Sequence, residues 1–111
     1  MIRILVWCEH HQDQYDENVK NTYPEFMHNA IANFLREDKN FDVKTATLYD
    51  DENCGITREI LRETDVIIWW GHCHHDKVPD EVAALVQEEV LNGMGAIFLH
   101  SAHKSKPFMR L

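Results

Sequence analysis

Four short apolar runs most limit what this chain can fold into: "IRILVW" at residues 2–7, "FDVKTATLY" at 41–49, "DVIIWW" at 65–70 and "GAIFLH" at 95–100. The first, third and fourth are nearly continuous, the pattern of strands buried on both faces, whereas the second alternates. Helical patterns lie between them. In "YPEFMHNAIANFLRED", Met27, Ala30, Ile31, Phe34 and Leu35 share one helical face, and Pro24 with the Thr22–Glu25 capping-box spacing marks the start. Thr57 is placed to cap a short helix over 58–63. "VPDEVAALVQEEVLNG" carries Val82, Leu85, Val86 and Val90 on one face, between Pro79 and a stop at Gly93. Strands alternating with helices predict βαβ units and a parallel sheet of about four strands covered on both sides. The fold class is therefore α/β, expected as one domain over residues 1–111. The fourth strand is expected at an uncovered edge.

Composition removes several function classes. The net charge is −8, with 11 Lys and Arg against 19 Asp and Glu, which argues against nucleic acid and against an anionic membrane as partner. No apolar run approaches the roughly 18 residues of a membrane span, and "MIRILVWCEHH" has too short an apolar stretch for a signal peptide. A cytoplasmic location is the expectation. Cys8, Cys54 and Cys73 are odd in number and widely spaced, so reduced thiols fit better than a disulfide framework.

Ligands of open parallel sheets bind beyond the carboxyl ends of the strands. Strand one runs into Glu9, His10 and His11, strand three into His72, His74 and His75, and strand four into His100 and His103. Only His28 stands apart, inside the first helical pattern. The aperiodic polar segment 8–22 is too long for a tight turn and reads as a functional or a disordered loop, while "DDEN" at 50–53 reads as a solvated turn.

The histidines have the chemistry of a divalent-metal site, with Glu9 or Asp76 completing or orienting the shell. Solvated loop histidines and metal-free acid/base chemistry are the competing readings. Ser101, flanked by His100 and His103, is a candidate nucleophile, although packing or helix capping accounts for it more simply. Trp69 and Trp70 point to opposite faces and suit the core, with sugar stacking as the sharper alternative. Cys8 and Cys73 lie at adjacent strand ends, as small hydrophobes or as thiolate ligands.

The whole pattern resembles the ThuA-like, trehalose-utilisation family. The pieces that carry the resemblance are "ILVWCEHH", "TDVIIWWGHCHHDKVPDEV" and "GAIFLHSAHKSKPFMRL", above all Trp69–His72, His75–Asp76 and His100–His103. The resemblance implies a flavodoxin-like three-layer fold of the class I glutamine amidotransferase type, represented by its N-terminal portion. It also implies that glutamine amidotransferase activity is absent, because Ser101 stands where those enzymes carry cysteine. Family members show asparagine and a following histidine after strand one, where this chain has Cys8 and Gln12; the resemblance implies that either His10 or His11 takes over that histidine's part or the site is weakened.

The expectation is a protein of trehalose or related sugar utilisation with a divalent ion, zinc first, on His72, His100 and His103. Glu9, His75 and Ser101 are the expected catalytic residues, and Trp70 and Asp76 the expected sugar contacts. A small-molecule sugar is the expected partner, with a homo-oligomer left open. The alternative is a non-catalytic sugar-binding or assembly module, or a fragment inactive by itself.

Overall fold

The computed structural model describes residues 1–111. Strands β1 (Ile2–Cys8), β2 (Phe41–Thr47), β3 (Val66–Trp70) and β4 (Gly95–Phe98) form one sheet in the order β2-β1-β3-β4, every pair parallel. Helices α1 (Gln12–Tyr15), α2 (Glu17–Thr22), α3 (Met27–Arg36), α4 (Arg58–Arg62), α5 (Asp80–Leu91) and α6 (Lys106–Arg110) complete the chain. Cys8 is in register with Thr47 of β2 and Trp70 of β3, so three strands end level and their loops share one edge.

Alternation along β1 divides the core in two. Leu5 and Trp7 face Leu61 of α4 and Val82 and Val86 of α5, whereas Ile4, Val6 and Cys8 face Ala32 of α3. The result is a three-layer, flavodoxin-like α/β fold. Trp7 and Trp69 lie side by side in register and stack with centroids 3.8 Å apart and planes at 15°, and Trp7 Nε1 donates to the buried carbonyl of Cys54 at 3.0 Å. Burying roughly 200 Å² of each ring contributes about 5 kcal/mol of gross transfer free energy per tryptophan.

The structure changes several local expectations. The segment after β1 is not one irregular loop but holds α1 and α2, the second capped by Asp16, which accepts from the amides of Asn18 and Val19. Thr22 closes α2 and bonds the Asn18 carbonyl at 2.9 Å, so the Thr22–Glu25 capping box does not form. Helix α3 starts at Met27, and the carboxylate that receives its first N–H belongs to Asp13, at 2.9 Å. Its buried residues are His28 and Ala32, whereas Phe34 is 72% exposed. The inward stripe is therefore rotated from the face that apolarity alone selects.

Elsewhere the boundaries differ by one or two residues. β2 stops at Thr47, where Asp50 in the following turn bonds both the amide and hydroxyl of Thr47. β4 stops at Phe98, because the Leu99 carbonyl turns to accept from Ala102, and this leaves His100 beyond the strand. Thr57 caps α4 through the Ile60 amide. Gly93, at φ 116, ends α5 in a conformation that suits a residue without Cβ. β4 is an edge strand, and α3 covers β1 and β2, so Ile97 of β4 stays 50% exposed.

Candidate functional site

Glu9 organises the shared edge. Its amide continues the ladder by donating to the Trp70 carbonyl at 3.0 Å, and it is 1% exposed. Its carboxylate then accepts from the amides of His72 at 3.3 Å, Cys73 at 3.2 Å and His74. Successive amides aimed at one carboxylate form an anion-binding nest, and here the anion belongs to the protein itself. Glu9 thus clamps the loop after β3 onto the end of β1. Its oxygens are engaged by that loop, and the loop carries His72 and His74.

The first histidine group lies in the β1–α3 connection. His10 takes φ 61, and its Nδ1 lies 2.8 Å from Oδ1 of Asp13, a residue that is 1% exposed. The other oxygen of Asp13 holds the start of α3, which delivers His28 from the first turn. The His10 and His28 rings meet edge to face with centroids 4.8 Å apart. His28 is 7% exposed, its Nδ1 has no hydrogen-bond partner, and burial, with His10 nearby, holds its pKa below the usual imidazole value. One donor atom from each of His10, Asp13 and His28 lies within 4.8 Å of the others. Two imidazoles and a carboxylate, one imidazole buried and neutral, are the donor set of a zinc-type divalent ion. These residues could hold a metal.

The second group lies after β3 and β4. His72 Nδ1 is 2.7 Å from the Ser101 hydroxyl, which also reaches the Gly71 carbonyl at 3.3 Å. Ser101 precedes a 3₁₀ turn, Ala102–Lys104, without capping it through its side chain. Trp70 Nε1 donates to the His100 carbonyl at 3.0 Å, and the His100 and His103 rings stack at 5.7 Å. The His75 ring lies over Gly71, where a Cβ would come within 3.1 Å of its Nδ1. Burial lowers the His75 pKa; Glu9 opposes that shift, and His103 and His72 reinforce it.

The expected site residues are therefore neighbours without forming one donor set. His72, His100 and His103 are all exposed, and their donor atoms are not among those gathered within 4.8 Å. Asp76 is exposed in the 3₁₀ turn His75–Lys77. Trp69 is wholly buried, and Trp70 packs against the α3-side core while its indole N–H faces His100. Cys8 is buried and its thiol is pushed up to about 12, so it is a small hydrophobe rather than a thiolate. Cys73 is exposed, but partial burial and the carboxylate of Glu9 keep its thiol protonated as well.

Asp13 and His28 were missed from the sequence, and Tyr49 with them. The i, i+3 spacing of His10 and Asp13 was visible, but in a segment read as loop it carried no weight. His28 was set apart because it lies in a helix, yet that helix begins at the same edge. Tyr49 sits past the shortened β2 and bonds His11 Nδ1 at 2.7 Å.

No helix is long and apolar enough to cross a membrane. No curated protein matches the chain. The family model described as ThuA, trehalose utilisation, matches residues 3–111. With a parallel α/β sheet and a histidine-lined edge to go with that match, the chain belongs to the ThuA, trehalose-utilisation family.

Proposed function

We propose that this protein handles trehalose or a related sugar through a divalent ion, zinc by donor chemistry, held by His10, Asp13 and His28. The observation that carries the reading is the orphan Nδ1 of His28, buried beside a carboxylate and a second imidazole. A buried polar atom without a partner costs about 1–3 kcal/mol, and an ion removes that cost. The reading moves the metal from His72, His100 and His103 to the loop after β1. When bound, such an ion polarises a sugar hydroxyl or carbonyl, or brings the pKa of a bound water toward about 7. His75, held neutral by burial at the same edge, supplies a base. Ser101, in place of a cysteine, leaves glutamine amidotransferase chemistry out of the proposal.

Metal analysis of untagged protein tests the assignment. A stoichiometric divalent ion is expected in the wild type, lost in His28→Ala and Asp13→Ala and retained in His72→Ala and His100→Ala. Metal-free wild type at neutral pH, or an ion that follows His72 and His100 instead, overturns it.

A further inference from the structure

Beyond the metal group, one cleft at this edge has walls of a different chemistry. A cavity of about 310 Å³ opens between the loops after β1, β2 and β3, lined by His11, Tyr49, Asp51, Glu52, His74 and Lys77. That volume falls within the range of about 300–1,000 Å³ typical of small-molecule sites. Its rings are locked together: His11 Nδ1 meets the Tyr49 hydroxyl at 2.7 Å, and the His11 ring stands against His74 at 4.1 Å and Tyr15 at 4.9 Å. The His11 Nδ1–Tyr49 hydroxyl contact fixes both rings in the wall, whichever of the two groups donates. Tyr49 is nevertheless 49% exposed, a large aromatic surface at the sheet edge.

Two charged side chains on the cleft wall are unpaired. Those of Glu52 and Lys77 make no hydrogen bond or ion pair, whereas Asp51 has one oxygen engaged by the amides of Asn53 and Gly55. Free carboxylate acceptors, an ammonium donor and a ring face suit a neutral polyol. Its C–H face stacks on the aromatic, and its hydroxyls reach both acceptors and donors. A strongly anionic ligand would meet Asp51 and Glu52, and a wholly apolar one would bury them unpaired. The cleft also abuts the metal group, since the Tyr49 and His10 ring centroids are 6.4 Å apart.

We infer that this cleft is the sugar-binding subsite. A pyranose ring stacks on Tyr49 and His11 and hydrogen-bonds Glu52 and Lys77, its far end directed toward His10. The inference rests on the sugar-handling reading above, and it places the sugar away from Trp70 and Asp76.

Trehalose titrated into the full chain, followed by backbone amide NMR with and without a chelator, is the test. Saturable shifts are expected at His11, Tyr49–Glu52 and His74–Lys77. Tyr49→Ala should weaken binding by about tenfold, and Trp70→Ala by less than about twofold. Glu52→Gln, which leaves the fold untouched, should also weaken it. Saturable binding indifferent to Tyr49→Ala and Glu52→Gln, shifts centred on Trp70 and His100–His103, or no saturable binding, would each overturn the subsite. Metal content reports separately: binding that depends on Tyr49 in a metal-free protein keeps the cleft and removes the ion, and a His28-dependent ion without sugar in the cleft does the reverse.

Discussion

The loop after β1 and the loops after β3 and β4 are both rich in histidine and meet at the same edge, yet they are built differently. Partly buried His10 converges with buried Asp13 and His28, and one imidazole nitrogen of His28 is left without a partner. His72, His100 and His103 are exposed, with donor atoms spread over two loops and bonded to a serine hydroxyl or stacked on one another. The difference is one of convergence and desolvation: only the first group gathers its donor atoms within 4.8 Å, and its buried imidazole cannot turn to water for a missing partner.

The largest expected effect comes from the residue that joins the two regions. Glu9→Ala leaves three loop amides without a charged acceptor, and with some water entering should cost about 3 kcal/mol in urea unfolding. A loss below about 0.5 kcal/mol would mean that the two loops are not coupled through Glu9.

A direct comparison of the two regions follows. Asp13→Ala removes the acceptor of the Met27 amide and the partner of His10, at an expected cost of about 2 kcal/mol. His103→Ala, at an exposed position, should stay within about 0.5 kcal/mol by the same measurement. Equal costs would break the contrast.

The smallest effect concerns the two thiols that flank Glu9. Burial raises the Cys8 thiol from 9.0 to about 12, so the folded state keeps a proton that the unfolded chain releases sooner. Its contribution is fully present below pH 9.0 and is lost as pH rises toward about 12. Cys8→Ala should therefore flatten the fall of Tm with pH in that window, even though it lowers Tm overall. Alkylation at mildly alkaline pH should reach exposed Cys73 and spare buried Cys8, as mass spectrometry would show.

Much of the fold was legible because burial writes itself into residue type. Continuous runs such as Ile4–Trp7 and Ile67–Trp70 have no amphipathic face to offer water, so they announce central strands, and the intervening periodicity announces helices. The edge that collects the loops followed from strand direction alone. The start of α3 was not legible, because its cap comes from Asp13, fourteen positions upstream, instead of from the neighbouring Thr22. The shape of the site was hidden for the same reason. Local pattern determined that three of four parallel strands would empty histidines onto one edge. Which of them share a donor set was decided only when α3 folded back over β1 and β2 and carried His28 against His10, since contacts between distant segments leave no period in the sequence.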